Sequence, residues 1–183
     1  LCHHKYLAPT GMCRLCVCEI EHKGKTRLVT SCNYPVKEDG IKVYTHTDKI
    51  NKHRKIIAEM YLSRWPNVPV VQQIAHMCSV NQRRFVNEFV DENEKACILC
   101  GHCVKAFEEF SLEKILDFAG RGIKRYLDMP FSEVDPFCVG CSSCVHVCLT
   151  SAISIAEDPN HPVDPIKIRN AGMKVNAEMA RLD

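Results

Sequence analysis

Cys138-Val139-Gly140-Cys141-Ser142-Ser143-Cys144-Val145-His146-Val147-Cys148 is a C-x2-C-x2-C-x3-C run, the spacing that gives three thiolates to one iron–sulfur cube and sends the fourth to a second. A matching run begins at Cys97-Ile98-Leu99-Cys100-Gly101-His102-Cys103, but Phe107 stands where its fourth cysteine would be. Paired runs of this kind imply electron-transfer chemistry with one irregular site.

Thirteen cysteines in 183 residues exceed ordinary usage, and such density signals either disulfides or metal. Nine of them, Cys13, Cys16, Cys97, Cys100, Cys103, Cys138, Cys141, Cys144 and Cys148, fall in C-x2-C steps or one step beyond. Two intervening residues suit shared coordination of one inorganic centre better than a bridge between the pair. The spacing therefore speaks against a disulfide framework and for a reducing compartment. The longest apolar tracts, around Ile56-Ile57-Ala58 and Val68 to Val71, are broken by charge, Pro or polar residues, so no membrane insertion is expected. No signal peptide is visible, although the chain opens at Leu1 rather than Met and an initial segment would lie outside this sequence. The expected location is cytoplasmic.

The formal net charge of +2 treats every cysteine as neutral, whereas metal-bound thiols are thiolates. Three clusters at roughly −2 each, ligands included, bring the folded total to about −4. Nothing here argues for nucleic acid. The run Lys49, Lys52, Arg54, Lys55 reads as the solvated face of a helix.

Four segments follow from the patterning. Residues 1–65 carry short strand-like runs, Val17 to Glu21, Arg27 to Ser31 and Lys42 to His46, parted by turn signals at Lys23-Gly24 and Glu38-Asp39-Gly40. A helix follows, with Asp48 as expected N-cap, Ile50, Ile56, Ile57, Met60 and Tyr61 facing inward, and Pro66 as its stop. Residues 66–95 read as a helical linker of two short helices. The first turns Val70, Val71, Ile74 and Met77 inward, the second Phe85, Val86 and Phe89. Residues 96–157 hold both cube-type runs around a β-rich insertion from Lys114 to Leu127, and 158–183 read as a docking tail with a short helix at Ala171 to Leu182.

Cys2, Cys13, Cys16 and Cys32 form C-x10-C-x2-C-x15-C. This resembles a [2Fe-2S] loop that recovers one ligand from a distant strand. Gly11 supplies backbone able to turn closely around sulfur. Zinc prefers two C-x2-C pairs, or Cys and His pairs, in tetrahedral array, and the outer ligands here are single cysteines.

The residues Leu1-Cys2-His3-His4, Gly11-Met12-Cys13-Arg14-Leu15-Cys16-Val17-Cys18-Glu19, Thr30-Ser31-Cys32 and the helix ending at Trp65 resemble the N-terminal [2Fe-2S] domain of the large iron–sulfur subunit of respiratory complex I. The same domain occurs in the diaphorase iron–sulfur subunit of NAD-reducing hydrogenases and in multi-cluster iron-only hydrogenases. Ala96 to Val104, Phe118-Ala119-Gly120-Arg121-Gly122 and Cys138-Val139-Gly140-Cys141 resemble the two-cluster ferredoxin domain that follows it there. The resemblance implies an α+β chain: a [2Fe-2S] ferredoxin-like (β-grasp) domain, a short helical linker and a two-cluster bacterial-ferredoxin-like domain. Two departures stand out. The family places a His-x3-Cys-x2-Cys-x5-Cys site for another cube between the two domains, but residues 66–95 offer only His76 and Cys78, so that cluster is expected to be missing. The family's domain also begins with a hairpin and helix ahead of the position of Cys2, so the first domain reads as N-terminally incomplete.

By the crossed ligation of two-cluster ferredoxins, Cys97, Cys100, Cys103 and Cys148 bind one [4Fe-4S] cluster, while Cys138, Cys141 and Cys144 bind the other and find Phe107 at the fourth position. The second cube is then [3Fe-4S], or [4Fe-4S] with another ligand such as Cys78, which otherwise packs as a small hydrophobe. Cys18 reads as a core residue. His102 and His146 read as half-exposed loop residues able to tune the clusters. No nucleophile–base pair is visible, and Gly120-Arg121-Gly122 lacks the context of a dinucleotide fingerprint. The chain is thus expected to be no enzyme on its own. It reads as a relay between a flavin- and NAD(P)H-binding subunit and a catalytic redox subunit such as a hydrogenase or formate dehydrogenase, those partners being implied by the resemblance. The alternative is an iron–sulfur redox sensor, whose labile cluster would be exposed.

Overall fold

The structure, a computed structural model, describes residues 1–37, 39–110, 116–129 and 142–154. Cys138, Cys141 and the expected tail helix lie outside the described residues. The chain is mixed α/β with small sheets and forms two compact units. One holds Leu1–His3 and Pro9–Cys100; the other holds His4–Ala8 and the described residues from Gly101 onward.

The first unit is built on a three-stranded antiparallel sheet in the order β2-β1-β3, with β1 Val17–His22, β2 Lys25–Thr30 and β3 Lys42–Tyr44. Lys23 and Gly24 both take positive φ, 51° and 72°, the two-residue hairpin turn whose twist matches its flanking strands. That turn sets His22 opposite Lys25 and, at the far end, Val17 opposite Thr30. Cys18 and Ile20 are buried on β1, in keeping with a core role for Cys18.

Helix α1, Asp48–Arg64, packs on β1. Its N-cap is Thr47 rather than the expected Asp48: the Thr47 hydroxyl accepts from the Ile50 N–H, and Asp48 occupies the first turn, where a carboxylate complements the helix dipole. The buried stripe also differs from the expected one. Ile50 and Ala58 are fully buried while Ile56 and Met60 are exposed, because the helix is covered both by β1 and by the segment that follows it, where Ala58 packs on Ala75 and Val80. Helix α2, Pro69–Met77, starts with Pro at its first turn. It ends in a Schellman motif, with the Val80 N–H on Ala75 O at 2.8 Å, the Ser79 N–H on His76 O at 3.0 Å, and Ser79 at φ 54°.

The second linker helix does not form. Phe85, Val86 and Phe89 are exposed, and short Asx side chains take up the local backbone: Asn87 Oδ1 accepts from Phe89 N, Asp91 Oδ1 from Asn93 N and Asn93 Oδ1 from Lys95 N. Such bonds compete with helix. Arg84 ties this segment to α1 by donating to the buried carboxylate of Glu59, Nε–Oε2 2.9 Å. The main core of this unit is Trp65, Val68, Val71, Ala96 and Ile98, with Leu1, Tyr61, Leu99 and Cys100 packed against it.

In the second unit, helix α3, His102–Phe110, packs on the short helix α4, Ser143–His146. Strands β4 (Asp117–Ala119) and β5 (Tyr126–Asp128) pair antiparallel around a 3-10 turn at Gly122–Lys124. Gly120 is required there: at φ 70° a Cβ would stand 2.5 Å from Lys124 O. The hairpin falls within the expected β-rich insertion, whose first residues, 114 and 115, lie outside the described residues.

Candidate metal centres

The β1–β2 register builds the first centre. Cys16 precedes β1 and Cys32 follows β2 by two residues, so the hairpin carries them to the same end of the sheet, where the Ser31 N–H bonds Cys16 O at 3.1 Å. The Cys16 and Cys32 side chains interact with each other. At the other side of the loop the Cys13 N–H donates to Cys2 Sγ at 3.3 Å, and the two thiols interact. Cys2, Cys13, Cys16 and Cys32 are thus gathered as two pairs, Cys2 with Cys13 and Cys16 with Cys32. Cys2 and Cys13 are buried; Cys16 and Cys32 are half-buried.

The thiols feel one another's charge. Burial pushes Cys2 up, but N–H groups of Cys13 and Met12 and the Thr10 hydroxyl outweigh it and hold Cys2 below the ordinary thiol range. In the second pair burial opposes ionisation of both members. Donors from Cys32 and Ser31 nevertheless bring Cys16 down, while burial and then Cys16 and Cys2 push Cys32 up to about 11. Burial, followed by the charge on Cys16, raises Cys18. Tyr61 is pushed well up by burial and then by the charges of Cys13, Cys2 and Cys100, so its phenol stays protonated.

Backbone conformation marks the cysteine loops. Arg14 between Cys13 and Cys16, Leu99 between Cys97 and Cys100, and Ser142 between Cys141 and Cys144 have φ of 59°, 56° and 65°. Left-handed residues of this kind are rare outside Gly, and alternating handedness turns successive N–H groups inward to make an anion-binding nest. Sequence reasoning had no signal for these three. It did anticipate Gly11, whose φ is 66° and whose Cβ would stand 2.7 Å from Asn33 Nδ2.

Cys97 and Cys100 close the first unit, and Cys103 opens α3 in the second. Cys148 follows α4, with the Ala152 N–H on its Sγ at 3.3 Å. Burial raises this thiol, but N–H groups of Thr150, Ala152 and Ile153 and the Thr150 hydroxyl bring it below the ordinary value. Phe107 is buried on the helix that packs against α4, the element carrying Cys144. Cys78 caps α2 and packs beside Ala58, Ala75 and Val80, its thiol raised by burial. His102 is not the half-exposed residue expected: it is 2% exposed, its Nδ1 lies 3.1 Å from Val147 O, and His4 meets its ring edge-on at 5.4 Å. His146 is exposed.

No three His, Cys, Asp or Glu side chains among the described residues converge as ligands of a single metal ion. Two pairs of thiols suit a two-iron, two-sulfide core, which takes two thiolates on each iron. The buried Thr10 hydroxyl makes no hydrogen bond of standard geometry and interacts with the Cys2 sulfur, so it is placed to donate to an anionic sulfur core. The residues fit the group. No disulfide joins the eleven described cysteines, and no helix among the described residues is long and apolar enough to cross a membrane.

The chain is homologous to subunits of NAD(P)H-linked oxidoreductases and hydrogenases, and this matches the resemblance carried by its cysteine loops. It is 32% identical over 174 residues to the NADPH-Fe(3+) oxidoreductase subunit alpha of Geobacter sulfurreducens, covering 84% of this chain and 20% of that protein. It is 28% identical over 143 residues to the NADH-ubiquinone oxidoreductase 78 kDa subunit of Candida albicans mitochondria, covering 66% of this chain and 19% of the relative. Among solved structures, an NAD+-reducing [NiFe]-hydrogenase in its H2-reduced state superposes with a TM-score of 0.54 at 25% identity, covering 70% of this chain and 61% of that one. The chain therefore spans about a fifth of the length of the curated relatives it matches. No family model matches it.

Proposed function

We propose that this chain is the iron–sulfur relay of a multi-subunit oxidoreductase, passing single electrons from a flavin- and NAD(P)H-binding subunit to a low-potential catalytic subunit such as a hydrogenase or formate dehydrogenase. In this reading residues 1–65 form a β-grasp [2Fe-2S] domain and 96–157 a two-cluster ferredoxin-like domain. Cys2, Cys13, Cys16 and Cys32 hold the [2Fe-2S] cluster. Cys97, Cys100, Cys103 and Cys148 hold a [4Fe-4S] cluster by their spacing, and Cys138, Cys141 and Cys144 hold a second cube with three irons or with a fourth ligand from elsewhere. The tail at 158–183 docks a partner, and the complex is cytoplasmic.

The observation that carries the reading is the gathering of four thiols, distant in sequence, into two interacting pairs. When bound, the clusters supply reversible one-electron storage at potentials set by cluster type, net charge and hydrogen bonds to sulfur. The protein's part is to hold thiolates, to aim N–H groups at them and to keep water away. Burial of Cys2 and Cys13 favours a relay over a sensor for this first centre. Homology to oxidoreductase subunits supports the partners by class.

Anaerobic iron and sulfide analysis with paramagnetic resonance tests the proposal. About nine to ten irons per chain, with matching sulfide and one [2Fe-2S] signal on reduction, are expected. Zinc without sulfide would end it.

A further inference from the structure

Helix α1 presents one cation that the solvated reading of its basic run does not explain. Lys49, Lys52 and Lys55 are exposed, but Arg54 is half-buried and spends its guanidinium on three main-chain carbonyls. Its Nε donates to Leu15 O at 3.1 Å, its Nη2 to Val17 O at 2.6 Å and its Nη1 to Thr45 O at 3.1 Å. Leu15 and Val17 flank Cys16, and Cys16 O is itself taken by the Ser31 N–H at 3.1 Å. Three successive carbonyls, 15 to 17, are thus held from outside the loop. The planar fork of arginine suits this task, and the ammonium of lysine has no equivalent geometry.

No carboxylate pairs with Arg54 among the described residues; Glu19, the nearest acid of β1 to the helix start, is engaged by Thr47 and Lys49. An uncompensated cation therefore sits directly behind the peptide of one cluster ligand, in a partly desolvated setting where a charge acts over a longer reach than in water.

We propose that Arg54 is the positioning and charge-setting residue of the Cys2/Cys13/Cys16/Cys32 centre: its fork clamps the carbonyls of Leu15 and Val17, the residues on either side of Cys16, and its charge favours the reduced state. The proposal rests on the [2Fe-2S] reading above. Addition of one electron, from dithionite in a titration, takes the oxidised cluster and its four thiolates from about −2 to about −3. A fixed positive charge stabilises the more negative state, so its removal lowers the potential.

The test is a dithionite titration of the anaerobically purified full chain, followed by paramagnetic resonance, for the wild type, R54Q, R54K and K55Q. K55Q removes the same charge from the exposed face of the same helix. R54Q should disfavour reduction of the [2Fe-2S] centre at least tenfold, which is ~59 mV for one electron, and K55Q by less than a third of that shift. R54K should keep most of the potential but lose iron to a chelator several-fold faster, since the charge stays and the clamp goes. An R54Q shift no larger than that of K55Q, with the cluster intact, overturns the proposal. If R54Q retains no cluster, R54K decides: wild-type chelator resistance overturns the clamp, and accelerated loss supports it. Absence of a [2Fe-2S] signal from the wild type is a separate result that removes the functional reading itself.

Discussion

Gly11 shows how narrowly the first cysteine loop is specified. Its φ of 66° is costly for any other residue, and a Cβ would press on Asn33, which the Thr30 hydroxyl holds in place. Gly11→Ala should lower stability by about 1–3 kcal/mol, measured by denaturant unfolding of the metal-free chain, and should weaken retention of the [2Fe-2S] signal. A variant as stable as the wild type would mean the loop can relax around it. This glycine was legible in the sequence because a tight turn beside cysteines calls for one. Arg14, Leu99 and Ser142 were not, since their left-handed backbone runs against the preference of their own side chains and is imposed by the loops around them. Arg54 escaped for another reason: a helix presents its basic residues to solvent by default, and only the sheet packed against α1 shows that this one points at carbonyls.

At the scale of elements, the hairpin is the device that makes a sixteen-residue step in sequence into a neighbouring pair of thiols. Its register is set by the Lys23-Gly24 turn and by burial of Cys18 and Ile20 on one strand. Because a one-residue slip sends every later side chain to the opposite face, an alanine inserted after Leu28 should abolish the [2Fe-2S] signal. A glycine inserted after Lys23 only lengthens the turn and should leave the signal in place, and loss in both would show that register is not the cause. The helix start offers a simpler check. Thr47→Ala removes the side-chain acceptor of the Ile50 N–H and should cost about 1 kcal/mol, read from the shift in denaturant midpoint. Periodicity located α1, α2 and the three strands, but it misread the segment after α2. Phe85, Val86 and Phe89 have helical spacing, yet Asn87, Asp91 and Asn93 satisfy the backbone locally, and the Schellman motif at Ser79 has already turned the chain.

For the whole molecule, Phe107 in place of a fourth cysteine is a point where this chain departs from its resemblance. Phe107 is buried on a helix packed against the element that carries Cys144, so Phe107→Cys should raise the iron content by about one per chain and replace a three-iron signal with a four-iron one. An unchanged spectrum would show that position 107 does not face that site. The cysteine spacings, the iron–sulfur chemistry they imply and the mixed α/β character were legible in the sequence, because coordination chemistry restricts which residue types can bind iron and at what spacing. The pairing of Cys2 with Cys13 and of Cys16 with Cys32, the burial of His102 and the placement of Arg54 were decided only by tertiary structure. Each depends on strand register and helix rotation, which bring together residues that no local pattern connects.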